Sequence, residues 1–180
     1  MHDDGPCLRL ATRADVAALE ALIALSGRTL GAGFYTHAQA EAITRHVFGV
    51  DTRLIDDRTY FAIEHAGRIV ACGGWSRRQT LFGGDRAKDA VDPLLDPSRD
   101  AARIRAFFVH PSMARRGLGR RLLETCADAA RAAGFATLEL VATLPGEPLY
   151  RACGFAAVGR FDLHLPGDVR VPVVRMARAA

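Results

Sequence analysis

The stretch Phe107-Phe108-Val109-His110-Pro111-Ser112-Met113-Ala114-Arg115-Arg116-Gly117-Leu118-Gly119-Arg120-Arg121-Leu122-Leu123 holds the residues best suited to chemistry. An apolar run gives way to a glycine-bearing turn and then to apolar residues at helical spacing, so a strand should feed a helix through a tight turn. Unpaired backbone N–H groups would converge there at the positive end of a helix dipole, which makes an anion site. Gly117 and Gly119 keep side chains from holding an anion away from those amides, while Arg115, Arg116, Arg120 and Arg121 add positive charge around them.

Two common phosphate-binding readings of this turn do not fit. A Walker loop needs a lysine directly after its last glycine, and none follows here. The dinucleotide fingerprint needs a third glycine where Leu122 stands, and it opens a βαβ unit, whereas the run before this turn follows a hairpin pattern.

The elements that must position the turn can be read from periodicity. Leu8 to Ala11 suits a short strand, and Thr12-Arg13-Ala14-Asp15 resembles a capping box. Val16, Leu19, Leu22 and Ile23 then mark a helix that Ser26-Gly27 can stop. Thr36-x-x-Gln39 opens a second helix through Ile43 and Val47. Tyr60 to Ile63 and Ile69 to Trp75 flank Ala66-Gly67 as a hairpin, and residues 79–100, rich in Gly, Pro and charge, read as a long loop. Ile104 to Val109 reads as a buried strand. The helix after the turn is predicted from Arg116 to Ala133, with Leu118, Leu122, Cys126, Ala129 and Ala133 as its apolar stripe. Thr137 to Ala142 is a strand, Pro148 to Cys153 a short helix, and Phe155 to Leu165 pairs with Val169 to Met176. The predicted order is β, α, α, β, β, β, α, β, α, β, β. No repeat or linker divides it, so residues 1–180 should form one domain.

The net charge of +4 is local: Arg99 to Arg121 holds seven arginines and one acid, while the remainder has 17 basic and 19 acidic residues. That distribution speaks against a wholly basic nucleic-acid domain, as does the lack of interleaved aromatics. Cys7, Cys72, Cys126 and Cys153 are far apart with no metal-ligand spacing, so reduced thiols and no metal are expected. Asp3 and Asp4 stand where a signal peptide would carry positive charge, and no apolar run approaches the ~18 residues of a membrane span. A soluble, cytoplasmic protein is the expectation.

The string from Val109 to Leu123 resembles motif A of the GNAT acetyltransferase superfamily, Gln/Arg-x-x-Gly-x-Gly/Ala after a strand ending in Val-x-Pro. Here it reads Ala114-Arg115-Arg116-Gly117-Leu118-Gly119, with Ala114 in the leading place. Leu149-Tyr150-Arg151-Ala152-Cys153-Gly154-Phe155 is similar to the motif B ending Leu-Tyr-x-x-x-Gly-Phe, with Thr143 where an Asn often precedes the Tyr by seven residues. The element order matches as well, so the resemblance covers nearly the whole chain.

The resemblance implies an α+β fold: a mixed, mostly antiparallel central sheet with flanking helices, whose two central strands splay to form an acyl-CoA cleft. It implies acetyl-CoA as acyl donor, its pantetheine pairing with backbone at Phe108 and Val109 and its pyrophosphate on the amides of Arg116, Gly117, Leu118, Gly119, Arg120 and Arg121, beside Arg115. It implies Tyr150 as the acid that protonates the leaving thiolate after an amine attacks the thioester directly. No base declares itself among Glu64, Asp100, His110, Glu139 and Glu147. Arg103 and Arg105 are expected in solvent or on the substrate side, and Phe34, Tyr35 and Trp75 are candidates for the acceptor pocket, with core packing the competing role for Trp75.

The implied activity is acetyl or short-acyl transfer to a primary amine of a small molecule or peptide, with no nucleic-acid or membrane partner; a homodimer stays open. The rival reading is a non-catalytic CoA-binding sensor or partner module of the same fold.

Overall fold

Alternation along each apolar run builds a seven-stranded sheet in a computed structural model that describes residues 5–87 and 91–180. Lys88, Asp89 and Ala90 of the expected long loop, and the acidic start at Asp3 and Asp4, lie outside the described residues.

The first strand, β1, is Cys7–Leu10, and the Thr12 amide donates to the Asp15 carboxylate at 2.7 Å in the expected capping box. Helix α1 then runs Val16–Leu30 and does not stop at Gly27. A Cβ on Gly27 would sit 2.7 Å from the Phe48 ring, so this glycine makes room for a neighbour and ends nothing. Helix α2, His37–His46, opens with its capping box in place: the Gln39 amide donates to the Thr36 hydroxyl at 3.2 Å and the Thr36 amide to the Gln39 side chain at 3.0 Å. A short helix, α3, follows at Thr52–Asp56, with the Arg53 amide donating to the Asp51 carboxylate at 3.0 Å. Five residues are too few to show a period, so this helix is not legible from sequence pattern.

Strands β2, Tyr60–His65, and β3, Arg68–Ser76, form the expected hairpin; Ala66 and Gly67 both have positive φ, as a tight two-residue turn requires. The remaining elements are β4 at Ala102–Val109, α4 at Leu118–Ala132, β5 at Thr137–Thr143, α5 at Glu147–Ala152, β6 at Ala156–Leu165 and β7 at Val169–Ala179. The sheet order is β1-β2-β3-β4-β5-β7-β6, antiparallel except for β4 beside β5. That parallel pair is registered only at Ala102 with Leu138 and Arg103 with Glu139. Beyond them the strands part, as the mostly antiparallel fold with splayed centre requires.

Side chains alternate across the sheet and sort the helices onto its two faces. Tyr60, Ala62 and Cys72 pack with Leu19, Leu22 and Ile23 of α1, whereas Ile63 and Ala71 pack with Leu118 and Leu122 of α4. The stripe on α4 differs from the expected one. Leu123, Ala127 and Ala130 are buried with Leu118, Leu122 and Cys126, while Ala133 is exposed, because the helix ends at Ala132 and Ala133 is its C-cap.

Candidate active site

The turn before α4 is built as an anion cradle. Pro111–Met113 makes one 3₁₀ turn, capped where the Ser112 amide donates to His110 Nδ1 at 3.2 Å. Arg115 and Gly117 then take positive φ of 64° and 82°, which bends the chain into α4. Among the described residues the N–H groups of Arg116, Gly117, Leu118, Gly119 and Arg120 have no carbonyl acceptor; the first satisfied amide is that of Arg121, on Gly117 O at 3.0 Å.

The two glycines serve different needs. Nothing lies within 4 Å of a Cβ placed on Gly117, so its requirement is the left-handed backbone. A Cβ on Gly119 would sit 2.9 Å from Leu149 Cδ2 on α5, so its requirement is space. Arg115, Arg116, Arg120 and Arg121 are exposed around the turn, with Arg121 donating to Pro6 O at 2.6 Å; Leu118 is buried and offers only its amide.

The cradle opens into the gap between β4 and β5. Among the described residues no strand pairs with β4 on its β5 side past Arg103, so the backbone through Phe108 and Val109 presents an unpaired edge. A register shift between Cys72 and Gly74, with Ala106 at φ 56°, marks a β-bulge that turns β4 outward. The Tyr60 hydroxyl lies 3.2 Å from Ala106 O and 3.2 Å from Cys72 Sγ, and burial holds its pKa well above the ordinary phenol value. Phe107 packs over Gly73, where a Cβ would meet its ring at 2.7 Å.

Two cavities meet in this gap. One, of about 170 Å³, runs from Gly119 and Leu149 past Val109 and Pro145 to Gly27 and Tyr35. The other, of about 120 Å³, lies farther from α4, between α2, the 81–84 loop, β4, β5 and β7. Phe48, Phe107, Phe108, Thr143, Gly146 and Tyr150 line both. Tyr150 therefore stands at the junction, its ring edge-on to Phe107 at 6.2 Å and to Phe155 at 5.9 Å. Among the described residues its hydroxyl has no hydrogen-bond partner, and burial raises its pKa above the ordinary value, so the phenol is neutral and able to donate.

The five candidate bases are not in the gap. Glu64 receives Arg9 at 3.2 Å, Asp100 receives the Asp96 amide at 2.7 Å, and Glu147 receives Arg151 at 2.9 Å and Arg160 at 2.6 Å. Glu139 is buried between Arg103 and Arg175. His110 faces a separate groove with Arg9, Asp15 and Glu64.

Arg103 departs from expectation, whereas Arg105 is withdrawn from solvent but lines the smaller cavity of the gap. Arg103 is spent on Glu139, and Arg105, 3 % exposed, pairs with Asp51 at 2.9 Å and donates to Thr80 O at 2.9 Å and Gly83 O at 2.6 Å. A buried guanidinium must satisfy its donors, and the loop carbonyls do so here. Trp75 is a core residue against Phe135, whereas Tyr35 lines the larger cavity and Phe34 is exposed. The Tyr35 hydroxyl donates to Pro172 O at 2.8 Å and accepts from the Leu144 amide at 2.9 Å, tying the α1–α2 connection to β7 and the end of β5. Phe48, Tyr60 and the Ala106 bulge carry no signal in the sequence, since each acts through a distant neighbour. Among the described residues no three His, Cys, Asp or Glu side chains gather as a metal site, and no helix is long and apolar enough to cross a membrane.

Solved structures share this architecture. A GCN5-related N-acetyltransferase from Rhodopseudomonas palustris superposes with a TM-score of 0.71 at 20 % identity, covering 100 % of this chain and 99 % of that one. A PaiA N-acetyltransferase from Thermoplasma acidophilum, solved with coenzyme A, gives 0.64 at 11 % identity over 98 % and 99 %. An IAA acetyltransferase of Azospirillum brasilense is 28 % identical over 128 residues, 69 % of this chain and 72 % of its own length. The profile of the acetyltransferase (GNAT) family matches residues 21–155, from the middle of α1 to Phe155 beyond α5, so the match contains the cradle, the splayed pair and Tyr150. The chain belongs to the acetyltransferase (GNAT) family.

Proposed function

We propose that this protein catalyses transfer of an acetyl group from acetyl-CoA to a primary amine of a small molecule or peptide, as a single unit over residues 1–180. The observation that carries the reading is the continuity of three features: free amides at Arg116 to Arg120, the unpaired β4 edge at Phe108 and Val109, and the Tyr150 hydroxyl at the end of that path. Pyrophosphate on the amides, with Arg115, Arg116, Arg120 and Arg121 nearby, and pantetheine along the strand edge would bring the thioester to Tyr150. The amine then attacks the thioester carbon, the C–N bond forms as the C–S bond breaks, the phenol gives its proton to sulfur, and the proton shed by nitrogen restores the phenol. Coenzyme A in the Thermoplasma structure supports the donor, and the name of the Azospirillum relative supports acetyl transfer.

Four unbridged cysteines suit a reducing, cytoplasmic setting, and the reading needs neither nucleic acid nor a membrane. Thiol release from acetyl-CoA over a panel of amines tests it, with the acetylated amine identified by mass. Tight binding of acetyl-CoA with no acetylated amine from any acceptor would favour the non-catalytic CoA-binding module.

A further inference from the structure

The side chains of Ile43, Val47, Phe82, Val141, Leu163 and Val173 supply the apolar wall of the 120 Å³ cavity beyond Tyr150, and Arg105, Thr143 and glycine backbone supply a polar one. Its volume is on the order of the ~150 Å³ apolar cavity that holds one benzene ring. The charged residue in its wall is Arg105, whose guanidinium is occupied by Asp51, Thr80 O and Gly83 O. Among the described residues neither this cavity nor the adjoining one is lined by a carboxylate or an imidazole.

We infer that the acceptor is an apolar, weakly basic amine that enters this cavity uncharged, with an aromatic amine as the fitting chemical class. The inference rests on the acetyl-transfer reading above and adds the acceptor to it. Two physical requirements lead there. An ammonium group would lose hydration in a cavity whose wall includes the Arg105 cation, with no carboxylate among the described lining residues to receive it. It would also bring one proton too many.

The proton balance makes the second point. When a neutral amine attacks, the C–N bond forms, the C–S bond breaks, and one N–H proton must leave nitrogen while one proton must reach sulfur. Tyr150 can give its proton to sulfur and recover one from nitrogen, so the cycle closes with no further base. An ammonium must first lose a proton, and among the described residues the cavity walls hold no base to take it. An aliphatic amine with a pKa near that of Lys, ~10.4, is neutral only to about 4 parts in 10⁴ at pH 7. A weakly basic aromatic amine is almost wholly neutral there.

The test compares aniline, cyclohexylamine and spermidine as acceptors at pH 7, with acetyl-CoA saturating and products identified by mass. Aniline should exceed cyclohexylamine at least tenfold in kcat/KM, and spermidine should give no product. A preference for cyclohexylamine or spermidine overturns this inference and leaves acetyl transfer standing, whereas no acetylated product from these or any other amine, with acetyl-CoA bound, overturns both. Phe82→Asp places a carboxylate in the wall from a loop. It should lower the aniline-to-cyclohexylamine ratio at least tenfold while acetyl-CoA still raises Tm. An unchanged ratio in a variant that binds acetyl-CoA would mean that the acceptor sits elsewhere, and if the variant does not fold, the ratio of the parent protein decides.

Discussion

The Tyr60 hydroxyl stands 3.2 Å from the carbonyl oxygen of Ala106, the β4 residue whose φ of 56° marks the bulge. A buried phenol on β2 thus pins the point at which β4 turns from its neighbour. Tyr60→Phe leaves a buried carbonyl with one donor fewer, at a cost of about 1–2 kcal/mol, or roughly 2–8 °C in Tm for a chain of this size. Because the strand edge beyond the bulge is the expected pantetheine track, calorimetry should also show several-fold weaker acetyl-CoA binding. Unchanged melting and affinity would remove the bulge from the account.

Acetyl-CoA at ~100 times its dissociation constant should stabilise the fold by about 2.7 kcal/mol, read as a rise of roughly 5–10 °C in Tm. Free CoA should do nearly as well, since pyrophosphate and pantetheine are common to both. No shift at millimolar cofactor would count against the donor assignment.

The two glycines of the cradle should fail differently. Gly117→Ala forces a side chain into left-handed backbone and should cost about 1 kcal/mol of stability, since open space surrounds it. Gly119→Glu must displace Leu149 and adds a carboxylate beside amides meant for phosphate oxygens. Calorimetry should find acetyl-CoA binding lost in the second variant and retained in the first. Equal affinities for Gly119→Glu and the parent would put the pyrophosphate elsewhere.

Tyr150→Phe keeps the ring between Phe107 and Phe155 and removes only the hydroxyl. General acid catalysis contributes about 10²- to 10⁴-fold, so kcat should fall at least tens of fold while acetyl-CoA affinity stays near that of the parent. A chromogenic donor whose thiol has a lower pKa should recover part of the rate, because a better leaving group needs less protonation. Equal losses with both donors would show that the hydroxyl does not protonate sulfur.

Much of the scaffold was legible because it rests on local signals. The capping boxes at Thr12 and Thr36 and the Ala66-Gly67 turn are short-range patterns, and each appears where its residues fall. The glycine turn was legible for the same reason. What escaped depends on distant partners: Gly27 looked like a helix stop until Phe48 packed against it, and Arg105, expected in solvent or on the substrate side, is buried with its guanidinium held by Asp51 and the loop carbonyls. That Glu64, Glu139 and Glu147 stand outside the gap was equally invisible, because it depends on which arginine each meets.

The brevity of the β4–β5 ladder has a mechanical consequence. Two registered positions join a half-sheet of β1 to β4 to a half-sheet of β5, β7 and β6, and beside them Glu139 bridges Arg103 on β4 and Arg175 on β7. The sheet is in effect a hinge with its pin at one end, braced at the other by Tyr35 where the α1–α2 connection meets β5 and β7. A long ligand laid between the leaves would complete the missing ladder as a keystone completes an arch, so the rigidity that holds Tyr150 in line would be greatest with the gap filled.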